Sequence, residues 1–127
     1  MPGNKYTPLI SIYTTQGDIG AFLQYPYLYN YQGEWIGWVN SKRQVYSVHG
    51  HYVGWISDEP RILRKHSSTY FKPEESTPPV PGPIKPPAST PLAPMMPELP
   101  YGVIDVLEDA SGLLPSFDFG DMREDLD

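Results

Sequence analysis

The chain repeats one short phrase three times before its midpoint. Each copy reads as an apolar residue, a tyrosine, three variable residues and a glycine, then an apolar–glycine pair and aromatic or β-branched residues. The copies begin at Ile12, Leu28 and Val45; the last two lie 17 residues apart, and the first matches them after one deletion. A repeat this short cannot bury its own apolar face, so the copies must pack on one another. The pattern therefore predicts an architecture and says little about a reaction.

Each copy has the features of a β-hairpin. Gly17, Gly33 and Gly50 stand where a tight turn needs a residue with positive φ. The flanking runs are rich in Tyr, Trp, Ile and Val, which favour a pleated, half-buried surface. A second glycine recurs inside each returning strand, and a strand glycine indicates the close approach of another backbone or ring. These strand glycines are Gly20, Gly37 and Gly54.

A fourth, degenerate unit follows the third copy. It begins at Ile62, turns near residues 66–68 and returns over residues 69–71, and it lacks both glycines, as terminal repeats often do. The predicted fold class is all-β: about four tandem antiparallel β-hairpins, followed by a proline-rich, largely extended or disordered acidic tail.

Composition divides the chain into parts. Of 16 prolines, 11 fall within residues 73–100, whereas all three Trp come earlier. Residues 1–72 hold seven Lys or Arg against four Asp or Glu (net +3), and residues 73–127 hold two against eleven (net −9). These shifts predict a β-hairpin-repeat domain at residues 9–72, a proline-rich linker at residues 73–100 and an acidic-apolar C-terminal motif at residues 101–127. The linker is not expected to join the core of the β-hairpin-repeat domain.

Composition also argues against several classes of protein. Cysteine is absent, so no disulfide supports the fold. No stretch approaches the ~20 apolar residues of a membrane helix, and the amino terminus lacks a signal pattern. We therefore expect a cytoplasmic protein without a membrane partner.

The repeat resembles a known family. Its apolar-Tyr-x-x-x-Gly units closing on Gly-Trp, the short Ile62-Leu63-Arg64 segment and the proline-rich tail are similar to the four-fold beta-flower domain proteins of bacteria. The resemblance covers about residues 9–71. It implies four hairpins arranged like petals about a pseudo-four-fold axis, and it brings no assigned activity.

A weaker likeness is to the aromatic hairpin repeats of choline-binding cell-wall modules, which also place Gly-Trp after a hairpin turn. Those repeats hold a quaternary ammonium between aromatic rings. This likeness implies a different class of function, the binding of a small ligand.

The candidate binding residues fall into three groups. Aromatic side chains of the repeats either form the core or face outward as a stacking platform. A basic cluster follows the third copy, and two phenylalanines stand in the acidic end, where a short motif can order on binding a partner. In that order the residues are Trp35, Trp38, Tyr52 and Trp55; Arg61, Arg64 and Lys65; and Phe117 and Phe119.

Catalytic and metal sites are not indicated. His49 and His51 flank a turn glycine, but no cysteine or suitably spaced carboxylate joins them. The sequence contains neither a nucleophile elbow nor a glycine-rich phosphate loop. We therefore predict no catalytic residues, no metal and no cofactor.

The sequence favours a non-enzymatic scaffold for protein interaction or assembly, in a pathway that it does not identify. Its tail motif would dock on a protein partner or on a neighbouring copy in a homo-oligomer. Nucleic acid is not an expected partner, because the acidic tail competes with phosphate. The alternative is a module that binds a small ligand, such as a sugar, quaternary amine or base, on exposed aromatic rings.

Overall fold

The computed structural model describes residues 7–67 and 77–117. Over these ranges eight β-strands pair in chain order into one antiparallel sheet, so consecutive strands form four hairpins. The strands are β1 (Ile10–Tyr13), β2 (Ile19–Gln24), β3 (Tyr27–Asn30), β4 (Trp35–Val39), β5 (Gln44–Ser47), β6 (Tyr52–Ile56), β7 (Ile62–Lys65) and β8 (Val103–Asp105). A short helix α1 (Val106–Asp109) and a 3-10 turn (Ser111–Leu113) follow. The predicted all-β fold of antiparallel hairpins is confirmed.

The first three hairpins end in the same kind of turn. Gly17, Gly33 and Gly50 take φ angles of 93°, 89° and 84°, as the sequence predicted. In the second hairpin the Asn30 amide donates to the Glu34 carbonyl at 2.8 Å, and the Asn30 side-chain oxygen accepts from the Glu34 amide at 3.0 Å. We call the end of the sheet that carries these turns the tip end. The opposite end, where connectors join one hairpin to the next, is the base end.

A β-bulge recurs at the same place in these hairpins. The pairing register shifts just after Ile12, Leu28 and Val45, the residues at which the three copies begin. The extra residues opposite the shifts are Gly20, Ile36 and Val53. A bulge bends its strand and increases the local twist. Because the bulge occurs at the same position in each of these three hairpins, it curls the sheet about a common axis.

Gly37 and Gly54 follow the bulge and allow the next strand to approach. A Cβ atom at Gly37 would lie less than 3.0 Å from the carbonyl oxygen of Tyr46, and one at Gly54 equally close to that of Leu63. Real Cβ atoms essentially never come so near a backbone atom. The predicted close approach of a neighbouring backbone is confirmed at both glycines.

Gly20 is not the equivalent of those two glycines. It is the bulge residue itself, and Ala21 occupies the position of Gly37 and Gly54, opposite Ile12. The spacing from the start of each copy to this position is therefore the same in all three hairpins. The one-residue deletion falls in the connector instead, where only Tyr25 and Pro26 join β2 to β3.

The fourth hairpin takes its return strand from beyond the proline-rich segment. β7 pairs with β6 on one side and with β8 on the other. The return strand expected at residues 69–71 lies outside the described residues. The connection from β7 to β8 thus spans residues 66–102, and the His66 amide donates to the Gly102 carbonyl across its neck at 2.6 Å. The proline-rich stretch joins two neighbouring strands of one sheet.

The core lies inside the curled sheet. Alternate residues of every hairpin point inward, and Val106 and Leu114 from the C-terminal side join them. Helix α1 lies beside the turn of the first hairpin, where Glu108 accepts a hydrogen bond from the Gln16 amide at 3.0 Å. The buried members are Ile12, Ala21, Leu23, Leu28, Ile36, Val39, Val45, Val53, Ile56, Ile62, Val106 and Leu114.

A buried polar network joins the first hairpin to the fourth. The Asp105 carboxylate, fully buried, accepts hydrogen bonds from the Thr15 amide and hydroxyl, both at 2.7 Å. Arg61, only 1% exposed, donates through Nη1 to the Thr15 hydroxyl at 3.0 Å. Its Nε also forms an ion pair with Glu59 at 2.9 Å. The network holds the two ends of the curled sheet together.

The strand glycines give the first prediction. Gly37→Ala and Gly54→Ala place a methyl group against a neighbouring carbonyl, and overpacking of this kind costs roughly 1–3 kcal/mol. Each variant should therefore lower the midpoint of thermal unfolding. Gly82→Ala is the matched control, since nothing lies within 4 Å of the added Cβ there. Equal midpoints for all three variants would contradict the proposed close approach.

The network gives a second prediction, on acid stability. Burial alone would raise the pKa of Glu59, but hydrogen bonds from Ser57 and Arg61 and the charge of Arg61 outweigh it, so the pKa lies below its ordinary 4.5. A depressed pKa in the folded state stabilises the protein above the unfolded value, and this contribution is lost as the pH falls through the folded value.

Glu59→Gln should therefore reduce the fall in the free energy of unfolding between about pH 7 and about pH 3.5, measured by urea denaturation. Asp58→Asn is the control, because that neighbouring side chain is 97% exposed. Parallel pH profiles for Glu59→Gln and the wild type would refute the role given to Glu59.

Candidate functional site

The outer face of the sheet carries a cluster of aromatic side chains. Trp38 stacks on Tyr46 with ring centroids 4.7 Å apart, and Tyr52 meets Tyr46 edge-on at 5.8 Å. Trp35 packs edge-on against Tyr27 at 6.4 Å. We call this set the outer aromatic cluster; its buried members are Tyr29, Trp35, Trp38 and Tyr46, with Tyr27, Val48, Tyr52, Ile84 and Phe117 packed against them.

The cluster is covered and not displayed. Trp35 is 4% exposed and Trp38 is 3% exposed. Trp35 donates its indole N–H to the Gly37 carbonyl at 2.7 Å, whereas the buried indole nitrogen of Trp38 has no hydrogen-bond partner in the described part of the chain. Burial also raises the pKa of the Tyr29 and Tyr52 hydroxyls. Of the four aromatic candidates, only Tyr52 and Trp55 are half-exposed.

Part of the cover is the proline-rich segment. At the second hairpin, the Tyr27 hydroxyl donates to the Pro79 carbonyl at 2.6 Å, and the Ile84 amide donates to the Gly33 carbonyl at 3.0 Å. The segment then reaches the first hairpin, where the Tyr13 hydroxyl donates to the Pro91 carbonyl at 3.0 Å. A proline-rich chain makes no internal hydrogen bonds, so its carbonyls accept from tyrosine.

Gly33 admits the segment to within direct contact. A Cβ atom there would lie less than 3.0 Å from the Ile84 carbonyl oxygen, a contact that Gly50, at the tip of the third hairpin, does not have. The turn glycine of the second hairpin therefore serves the segment as well as the turn.

Phe117 extends the same surface. Its amide donates to the Trp35 carbonyl at 2.8 Å, and its ring centroid lies 5.4 Å from that of Trp35. Phe117, a candidate binding residue of the C-terminal motif, thus contacts an aromatic residue of the β-hairpin-repeat domain. Phe119, the other candidate binding residue of this motif, lies outside the described residues.

The basic candidates do not form one exposed patch. Arg61 belongs to the buried polar network that joins the first hairpin to the fourth. Arg64 is 7% exposed and donates through Nη1 to the Val53 carbonyl at 2.9 Å. Lys65 is exposed. Two of the three predicted positive charges are therefore inside the molecule, where they hold the backbone or neighbouring side chains.

The base end of the curled sheet opens into a cavity of about 550 Å³. Its wall is mostly apolar and is formed by the first three hairpins and the connectors that follow them, and its rim is polar. The lining residues are Ile10, Ile12, Leu23, Tyr25, Val39, Asn40, Ser41, Arg43, Ile56, Asp58 and Pro60. Ile10 and Tyr25 are 41% and 47% exposed, so apolar surface continues to the mouth.

Arg43 holds an unusual conformation at this rim. Its φ is 66°, in a turn closed by a hydrogen bond from the Asn40 amide to the Gln44 carbonyl at 3.1 Å. The turns at the tip end have glycine at the position that Arg43 occupies here, as Gly33 does in the turn between Asn30 and Glu34. The Arg43 side chain donates through Nε to the Ile56 carbonyl at 3.0 Å, and its Nη2 lies 3.6 Å from the Asp58 carboxylate.

The sequence analysis did not predict this cavity, because its polar members lie in the connectors between hairpins. A signal was present. Asn30-Tyr31-Gln32-Gly33-Glu34 and Asn40-Ser41-Lys42-Arg43-Gln44 share one turn pattern, with Arg in the second where glycine stands in the first. A residue in a conformation that favours glycine is worth inspecting for a role.

Other kinds of site find little support in the described ranges. His49 and His51 have ring centroids 6.3 Å apart. In residues 7–67 and 77–117, no three His, Asp or Glu side chains are grouped to hold a metal ion. No helix within those ranges has the length and apolar character needed to cross a bilayer.

The geometry gives a third prediction. Because the Ile84 amide is bonded to the Gly33 carbonyl, hydrogen exchange should be slower at Ile84 than at Val80, which is 54% exposed in the same segment. Tyr27→Phe removes the bond to the Pro79 carbonyl and should speed exchange at Ile84. Equal exchange at Ile84 and Val80 in the wild-type chain would show that the segment does not dock.

Comparison with known protein families identifies a match. The sequence model of the family described as 4-fold beta flower protein matches residues 10–108, more than half of the chain. No curated protein and no solved structure gives a significant match.

Proposed function

The chain belongs to the 4-fold beta flower family, and we propose that it acts as a protein-interaction module whose outer aromatic cluster binds extended, proline-rich chain. The observation that carries the proposal is the docking of residues 79–91 on this face. The module works without catalysis: its outer face holds a peptide, and in this chain the peptide is its own proline-rich segment.

The contacts are of the kind that peptide-recognition surfaces use. Tyr27 and Tyr13 donate hydroxyl hydrogen bonds to proline-segment carbonyls, and Ile84 packs on the aromatic cluster. Extended proline-rich peptides dock on aromatic-lined grooves because their backbone is already ordered and little entropy is lost on binding. The backbone bond between Ile84 and Gly33 fixes the register of the segment.

The intrachain segment sets the conditions for a partner. A tethered ligand has a high effective concentration, so an external peptide binds only to the fraction of molecules whose segment has left the face. A proline-rich partner, or the same segment of a neighbouring copy, competes for the surface. The second case leads to a homo-oligomer through exchange of equivalent segments.

The acidic C-terminal motif belongs to the same proposal. Phe117 already packs on Trp35 beside the docked segment. In the proposal, the stretch that contains Phe119 continues this contact to a partner or a neighbouring subunit. The protein partner, the cytoplasmic setting and the bacterial origin stay predictions.

The docking of an extended peptide on the outer face favours this function over the binding of a sugar, amine or base on exposed rings. Stacking of such a ligand needs an open aromatic face. At 4% and 3% exposure, neither Trp35 nor Trp38 offers one.

A fourth prediction tests the proposal with the full chain. Ile84→Asp puts a charge where the segment packs on the cluster and should release the segment while leaving the receiving face intact. A fluorescent peptide with the sequence of residues 77–94 should then bind about ten-fold or more tightly than to the wild type, because the competitor is gone. Fluorescence anisotropy measures the affinity.

Two further variants control this experiment. Val80→Asp makes the same change at a residue of the segment that is 54% exposed, and it should leave the affinity for the peptide near the wild-type value. Adding Tyr27→Phe to Ile84→Asp should weaken binding several-fold, as expected for about 1 kcal/mol of one hydrogen bond. If the peptide binds Ile84→Asp no better than Val80→Asp, the outer face is not a peptide site.

A further inference from the structure

The base cavity is a second site, separate from the outer aromatic cluster. It lies on the inner side of the sheet, among the connectors of the base end, and its apolar wall is formed by residues such as Ile10, Leu23 and Ile56. Its volume of about 550 Å³ falls in the range of small-molecule sites, roughly 300–1,000 Å³. Sites of this kind combine apolar walls with a few polar groups that orient the ligand.

Arg43 supplies such a polar group. The Ile56 and Ser57 carbonyls hold its guanidinium at the rim through Nε at 3.0 Å and Nη2 at 2.7 Å. In the described part of the chain, Nη1 has no partner. The Asp58 carboxylate is 3.6 Å away and 97% exposed, and the Arg43 side chain is 54% exposed. An exposed pair at this distance is weak, so an anion can displace Asp58.

The backbone gives an independent reason to see a role for this arginine. A positive φ is uncommon for any residue with a Cβ, and Gly33 occupies the corresponding step of the tip turn. Arg43 accepts that conformation, and its side chain reaches the cavity rim as a result. Residues held in such conformations cluster at binding sites.

We propose that the base cavity binds an amphipathic carboxylate, with its hydrocarbon part against Ile10, Leu23 and Ile56 and its carboxylate on Arg43. The guanidinium forms charge-assisted hydrogen bonds with a carboxylate and is already oriented by its backbone partners. The hydrocarbon chain buries apolar wall that is open to water at the mouth, near Ile10 and Tyr25.

The probe is sodium decanoate, added to the full chain and measured by isothermal titration calorimetry. Methyl resonances of Ile10, Leu23 and Ile56 should shift with decanoate, which places the ligand in the cavity. Decanol has the same number of carbon atoms without the charge and should bind about ten-fold or more weakly, because the charge-assisted hydrogen bonds are lost.

Arg43→Gly is the decisive variant. Glycine adopts the required φ without strain, so the turn keeps its conformation while the guanidinium is removed. Its affinity for decanoate should fall about ten-fold or more, to the level of decanol with the wild type. Lys42→Gly, which removes the neighbouring exposed cation, should leave the affinity within about two-fold.

Three results would overturn the proposal: no heat of binding and no methyl shifts with decanoate, equal affinity for decanoate and decanol, or equal affinity of Arg43→Gly and the wild type. Thermal unfolding of Arg43→Gly without ligand confirms that the variant is folded. The outcome does not depend on peptide binding at the outer face, so either proposal can fail alone.

Discussion

The fold depends on the buried network that ties its first hairpin to its fourth. An eight-stranded sheet with β1 and β8 at its margins has two open edges, and a curled sheet stays curled only if those edges are held. Thr15, Arg61 and Asp105 together hold the edges, and a hydrogen bond from the Tyr13 amide to the Pro60 carbonyl at 3.0 Å supports them. Removing Arg61 leaves the fully buried Asp105 carboxylate without the positive charge of this network, which is strongly destabilising. Symmetric repeats supply the curvature, but an asymmetric contact fixes the closed form.

Much of the architecture was predictable from local signals. The turn glycines, the approach at Gly37 and Gly54 and the hairpin count follow from short-range rules of backbone geometry, and the structure bears them out. Gly20 was misassigned because Ile19-Gly20 resembles Ile36-Gly37 in sequence, whereas pairing aligns Ala21 with Gly37. A bulge is defined by how a strand pairs with its neighbour, so the sequence of one strand alone does not show at which residue the bulge occurs. The return strand of the fourth hairpin was missed for a related reason: β8 lies beyond a long proline-rich stretch and carries no repeat signature.

The candidate sites were less predictable than the fold. The sequence placed Arg61 in a basic cluster and did not indicate that it is buried, because its partners lie far away in the sequence. Arg61 donates a hydrogen bond to Thr15, and Thr15 in turn donates to Asp105. The aromatic residues were identified as a group, but sequence periodicity cannot say that the chain's own prolines cover them. For Arg43 the difficulty was opposite. The turn pattern that would have exposed it was visible, but its meaning depended on knowing that the connectors ring a cavity.

The placement of the proline-rich segment has a consequence for chain connectivity. Its two ends meet at the neck between His66 and Gly102, and the chain beyond it contributes β8, Val106 and Leu114 to the core. Covalent continuity through the segment is therefore not what keeps the C-terminal part in place. A nick in the segment would leave two fragments joined by a strand pair, a buried carboxylate and a shared core. Since the cost of closing a loop grows only slowly with its length, the segment can also be lengthened outside its docked residues 79–91 with little effect on the sheet. The fourth hairpin is thus a natural point of insertion, where new sequence can be displayed without altering the other three.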